Sequence, residues 1–179
     1  MPSVVSLAVN PAHGFSKLPV ERVEIVENFG IRGDAHAGVT VKHRSRVAVD
    51  PSQPNLRQVH LIHCELLDEL AAQGFSIQPG DLGENVLTEG IALLDLPRDT
   101  VLRIGPEVAL RVTGLRNPCA QIEAFRSGLL KAVLPLDATG QPVRKAGIMA
   151  VVLQGGAVHK GDLIDVILPD GPHQPLERV

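Results

Sequence analysis

At 179 residues, with 44% hydrophobic and 21% charged side chains, the chain is long enough for one well-cored domain and too balanced for a disordered or collagen-like protein. A net charge of −3, with no Trp, no Tyr and four Phe, excludes nucleic acid as a partner, because there is no basic excess to neutralise phosphates and little to stack on bases. Two cysteines make no disulfide framework, no apolar run nears the roughly 20 residues that cross a bilayer, and "MPSVVSLAVN" lacks the basic start of a signal peptide, so the chain is expected to be cytoplasmic, with reduced thiols and no membrane partner.

Glycine and proline, 17 and 14 of them, are spread along the chain and separate short β-branched stretches, the pattern of many short strands joined by turns. Strands are predicted at Ser3–Val9, 20–26, 57–62, 100–105, 108–113, 148–153 and 163–168. Alternation is clearest where Val108, Leu110 and Val112 face one way and Ala109, Arg111 and Thr113 the other, which gives that strand one buried face. "IMAVVL" is apolar throughout and is expected at the centre of a sheet, covered on both sides. Gly105-Pro106 and "QGG" at 154–156 read as turns between neighbouring strands, so a curled or closed antiparallel sheet is expected.

Helix signals are fewer. "CELLDELAAQG" places Leu66, Leu67 and Leu70 on one face and stops at Gly74. Residues 41–57, "VKHRSRVAVDPSQPNLR", read as a long polar surface loop, and the tail 169–179 as frayed or lightly docked on a single domain spanning 1–179.

A second helix is expected in "RNPCAQIE". Asn117 is a favoured N-cap type and Pro118 suits the first helical position, which puts Cys119 at the second with Arg116 just outside. Free amides, the helix dipole and the arginine would all favour a thiolate there. The residues alone leave two readings open, an inert packing thiol or a sulfur used in chemistry. Cys64, at the start of the leucine-rich helix, takes the packing reading.

Two glycine-rich loops are the other candidates. "GIRGDAHAG" offers Gly33, Asp34 and His36, and "PGDLGENV" offers Glu84 and Asn85; either loop could bring backbone amides to a phosphate or heterocycle, or make an ordinary hairpin. Zinc is poorly supported, since His60 and His63 lack partners at ligand spacing. A Cys–His hydrolase using Cys119 with His36, His60 or His159 is also weakly supported, and the phosphate loops of nucleotide-binding proteins are missing.

The ordered set "GIRGDAHAG", "RQVHLI", "PGDLGENVLTEGI", "LRIG", "LRVTGLRNPCAQIE" and "RKAGIMAVVLQGGAVHKGD" resembles the MOSC family, named for the C-terminal domain of molybdenum cofactor sulfurases. The resemblance runs over most of the chain and implies a mainly β fold with a few short helices, an α+β class with a barrel-like antiparallel sheet. It implies molybdenum cofactor, that is molybdopterin carrying the metal, with Cys119 as the metal ligand and Asn85, Gly33 and Asp34 at the cofactor. Arg57, Arg116, Arg144 and Lys145 are the candidate cations for the pterin phosphate, with Asn117 beside Cys119 in the same set. His36 or Asp34 would deliver protons. The implied activity is reduction of N-hydroxylated small molecules, with a redox or cofactor-delivery protein as possible partner. A non-catalytic carrier of the cofactor, or of sulfur on Cys119, is the alternative. No desulfurase domain accompanies the resemblance, so sulfur extraction from free cysteine is not expected of this chain.

Overall fold

The structure, a computed structural model, describes the backbone of residues 1–179 and every side chain except that of Ser45. The chain opens with β1 (Ser3–Val9), β2 (Leu18–Val20), β3 (Arg22–Val26) and β4 (Gly30–Ile31), followed by a one-turn helix α1 (Arg44–Val47). Then come β5 (Val59–His63), α2 (Glu65–Ala72), β6 (Val86–Glu89), β7 (Val101–Ile104) and β8 (Val108–Leu115). Two short helices, α3 (Ala120–Phe125) and α4 (Leu129–Val133), precede β9 (Ile148–Gln154), β10 (Gly156–His159) and β11 (Ile164–Ile167).

Eight strands form one sheet in the order β11-β7-β8-β9-β5-β6-β1-β2, and β10-β3-β4 form a second. Mainly β with few short helices is therefore the observed class. The large sheet is mixed rather than wholly antiparallel, because β5 and β6 pair parallel. The reason is local: parallel neighbours need a crossover, and the leucine face of α2 supplies it, burying Leu66 and Leu70 on the sheet. One antiparallel bridge, Ser3 to Leu163, joins the two sides of the large sheet, with the Ile164 amide bonded to the Pro2 carbonyl at 2.9 Å. That curls the sheet, yet among the described residues no continuous ladder closes it into a barrel.

Alternation in β8 is as the sequence predicts: Val108, Leu110 and Val112 are buried. They join Val23, Ile25 and Val158 of the small sheet in one core. A second core lies on the opposite face, where Ile62 and Leu87 pack under α2, α3 and α4. Residues 148–152 of β9 are all buried, in line with a central strand. "QGG" does not turn β9 onto a paired neighbour. It carries the chain from one sheet to the other, and Gly155 passes so close that an added Cβ would stand 2.6 Å from the Ile25 carbonyl oxygen.

The tail runs beside β8, where the Leu115 amide bonds to Glu177 at 2.7 Å and the Val179 amide to Leu115 at 3.1 Å, with Leu176 buried in the core. Residues 41–57 are mostly exposed but not structureless: they hold α1, and buried Asn55 donates to the carbonyls of His36 and Gly38 at 3.0 and 2.9 Å. No helix among the described residues is long and apolar enough to cross a membrane.

Candidate functional site

A cavity of about 360 Å³ opens where β8 ends, β9 begins and three loops from the first sixty residues meet. His60 of β5 and Met149 of β9 line it beside Asn85, which precedes β6. Arg116 leaves β8 with its amide on the Gly147 carbonyl at 3.0 Å. Gly147 has φ +88°, and any Cβ on it would overlap the Leu61 carbonyl oxygen and stand 3.1 Å from His60 Nε2. Only glycine lets β8, β9 and β5 converge here.

Cys119 lines the cavity, half-buried, on extended backbone at φ −129° and ψ 170°. The predicted helix start is corrected by two residues: α3 begins at Ala120 and Cys119, not Asn117, is its N-cap. The Asn117 side-chain Oδ1 is engaged elsewhere, accepting from Arg144 Nε at 3.2 Å, so it caps nothing. The thiol points toward Gln121 Oε1, 3.6 Å away. Cys64, at the start of α2, has its thiol pushed up to about 11 by burial and by Glu65.

Cations surround the cysteine. Arg116, Arg57, Lys17 and Arg44 line the cavity, and among the described residues no carboxylate does. Burial lowers the Arg116 guanidinium from its ordinary range, while the nearby charges of Cys119 and Glu84 hold it up. Its Nη1 is buried without a hydrogen-bond partner, and its Cζ lies 5.8 Å from the centre of the Phe15 ring. Burial, together with Arg46 and Arg116, lowers Arg57 to about 10, and its guanidinium also donates to the Val179 carbonyl.

Histidines make up another part of the lining. The rings of His36 and His43 stack with centroids 4.5 Å apart, and His13 meets His36 edge-on at 5.4 Å. Burial, then the charges of His36, Arg57, Arg116 and Lys17, lower His43 to about 3, so its ring is neutral at physiological pH. His60 is buried, with Nε2 2.8 Å from the Ala146 carbonyl, and burial lowers it well below the usual imidazole range.

Beneath the cavity lie the buried acids. Asp34 accepts from Lys17 Nζ at 2.9 Å, from the Asn10 amide at 3.1 Å and from the His36 amide at 3.2 Å. Burial opposes its ionisation, but His36 and Lys17 outweigh burial and hold the carboxyl below the usual range. Glu84 takes the Gly80 amide on Oε1 and leaves Oε2 buried with no partner.

Of the residues singled out in the sequence, His36, Arg57, Asn85, Arg116, Asn117 and Cys119 come together at the cavity. Asn85 is spent on the backbone, its side chain accepting from the His60 amide at 3.1 Å and donating to the Ala8 carbonyl at 3.2 Å. Asp34 lies beneath the lining and reaches it through Lys17 and His36. Gly33 is in an exposed turn at φ +81° and does not line the cavity, and Arg144 touches it only through Asn117. Lys145 is not at the cavity at all: its ammonium pairs with Glu69 of α2. His13, Phe15, Lys17, Arg44 and His43 escaped the sequence reading. The basic run "VKHRSR" was the available sign for His43 and Arg44; nothing local marks Lys17.

A model of the MOSC domain matches residues 34–165. None of the curated proteins matches the chain. Among solved structures, the YUAD protein from Bacillus subtilis superposes with a TM-score of 0.75 at 26% identity, over 95% of this chain and 98% of that one. YiiM from Geobacillus stearothermophilus gives 0.66 at 19% identity over 93% and 75%, and YiiM from Escherichia coli 0.65 at 16% over 97% and 73%, likenesses of fold.

Proposed function

The chain belongs to the MOSC domain family, a family linked to molybdenum cofactor binding, and on that premise we propose that its cavity holds this cofactor and reduces N-hydroxylated small molecules. The observation that carries the reading is that the Cys119 thiol and Arg116, whose Nη1 has no hydrogen-bond partner, line the same cavity. A soft sulfur donor fits a molybdenum centre, and a half-buried guanidinium with an N–H not spent on the protein fits an anionic group such as the pterin phosphate. Arg57 and Lys17 add positive charge without a carboxylate in the lining to cancel it. When bound, the cofactor supplies two-electron reduction, and an N–OH group taken to amine and water consumes two protons.

The chain's own part is to bind, orient and protonate. His36 faces the cavity with Nδ1 3.7 Å from Asp34 Oδ2, which orients the ring and stabilises it when it carries a proton, so His36 is the proton-delivering group of this reading. Asp34 acts through His36 and Lys17. Phe15 and Met149 supply apolar wall against which water is excluded.

The test is expression in a host that makes the cofactor, followed by molybdenum and pterin analysis and by assay with reduced methyl viologen and an N-hydroxylated base. Wild type is expected to carry both metal and pterin and to turn over. Cys119→Ser is expected to keep much of the pterin and lose activity, and Arg116→Ala to lose cofactor altogether. A preparation without molybdenum and pterin overturns the reading. Full activity in Cys119→Ser overturns the ligand role, and cofactor that is bound and passed on without turnover makes the chain a carrier.

A further inference from the structure

The last residues of the chain, 174–179, are fastened in a way that ends at the cavity. β7 pairs with β8 only as far as Arg111, and at Leu115 the tail pairs instead, running parallel to β8 with Arg178 opposite Leu115. Arg98 anchors the start of the tail, donating its amide to the Gln174 carbonyl at 2.9 Å and Nη2 to Gln174 Oε1 at 2.8 Å, and buried Leu176 pins it to the core. Gly114 makes room for it: any Cβ there would overlap the Glu177 carbonyl oxygen and stand 3.0 Å from Val179 Cβ. One bond then reaches from the tail to a cavity side chain, the Arg57 guanidinium donating to the Val179 carbonyl.

Arg57 lines two hollows at once. One is the cavity, shared with Arg116 and Cys119; the other, of about 260 Å³, is shared with Arg46, Arg178 and Val179. Buried Asn55 takes the Arg57 amide on Oδ1 at 3.1 Å, which fixes the root of the side chain and leaves its long stem free to turn. At the far end like charges crowd it from both hollows, and their repulsion drives an unheld guanidinium toward water. The Val179 carbonyl is the acceptor that holds it.

We propose that the tail is a positioning element of the anion site: seated against Gly114, it holds the Arg57 guanidinium at the cavity wall through the Val179 carbonyl, and this contact sets the affinity for an anionic ligand. The proposal rests on the reading above that the cavity takes an anionic group. Val179 touches no ligand in it. It acts through Arg57, which spends one N–H on the tail and keeps its charge and its remaining donors for the cavity.

Inorganic sulfate is the probe, its affinity measured by calorimetry at low ionic strength on chains purified from a host that cannot make the cofactor. A chain shortened to end at Arg178 is expected to bind sulfate about three- to tenfold more weakly than wild type, whereas Val179→Ala, which keeps the carbonyl, is expected to match wild type. In an Arg57→Ala background the same shortening is expected to change nothing further, because its effect runs through Arg57. Wild-type affinity in the shortened chain overturns the proposal and leaves the anion reading of the cavity standing. An equal loss with and without Arg57 overturns it too, as general loosening, and a loss in Val179→Ala as large as that on shortening assigns the effect to apolar packing instead. Should the shortened chain not fold, NMR of the Arg57 guanidinium in wild type decides: sulfate must shift its signals while the bond to Val179 persists, and unshifted signals or a broken bond overturn the proposal. If wild type binds no sulfate, the anion reading of the cavity fails and this inference falls with it.

Discussion

The Lys17 ammonium reaches both carboxylate oxygens of Asp34, 2.9 Å from Oδ1 and 3.0 Å from Oδ2, and both side chains are buried. Removing one member of such a pair strands the other charge. Lys17→Met is therefore expected to cost about 3–5 kcal/mol in urea unfolding, and Lys17→Met with Asp34→Leu less than the sum of the two. Strict additivity would show that the pair is not energetically coupled.

His43 carries a pH dependence whose sign is fixed by its burial. The folded ring protonates at about 3, whereas an unfolded histidine does so near 6.5. Between those values the unfolded chain binds more protons, so stability contributed by His43 is lost as pH falls through that window. His43→Gln is expected to flatten the fall in urea midpoint between about pH 6.5 and about pH 4. A slope as steep as that of wild type would assign the acid sensitivity to other groups.

The two thiols should separate in alkylation. With the Cys64 thiol pushed up to about 11 by burial, its thiolate fraction at neutral pH is roughly a hundredfold below that of an ordinary thiol. Peptide mapping after brief iodoacetamide treatment of the cofactor-free chain is expected to find label on Cys119 and little on Cys64. Equal labelling would contradict the raised thiol of Cys64.

Gly147→Ala tests the convergence of strands at the cavity. The added Cβ meets the Leu61 carbonyl, a backbone atom that cannot rotate away, at a φ of +88° that already disfavours alanine. A loss of about 3 kcal/mol or more is expected in thermal unfolding. A loss below about 1 kcal/mol would mean that the strands yield there.

Lys145→Ala should do little, in contrast with Arg116→Ala. Its ion pair with Glu69 is partly exposed, which limits the effect to about 1 kcal/mol, and retention of cofactor in a cofactor-competent host should match wild type. Loss of cofactor would restore Lys145 to the site despite its position beside α2.

What could be read in the sequence followed local rules. Ser3–Val9, the alternation in β8 and the leucine face of α2 needed only the period of the apolar residues. Strand β6 was hidden because "GENVLTEG" begins with glycine-rich loop signals, and its partner β5 is parallel and lies across a helix. At the site, Cys119 and Arg116 stood out because they adjoin a proline in a helix-start pattern. Lys17 and His43 did not, since what makes them unusual is burial among residues brought from elsewhere in the chain. The Asn117 cap failed for the same reason, its acceptor being taken by Arg144, 27 residues further on.

The central place of β5 sets a timetable for the protein's birth. Its neighbour β9 and the carbonyl that holds His60 lie well over eighty residues downstream, His60 and Ala146 being 86 apart. While a ribosome is still extending the chain, β5 therefore waits with one edge unpaired, displaying Val59, Leu61 and Ile62, all later buried, to any sticky surface nearby. The cavity can appear only late in synthesis, after Gly147 has emerged to receive the Arg116 amide. Until then the nascent chain depends on being kept apart from its neighbours, and slowing translation just before β9 would lengthen that exposure.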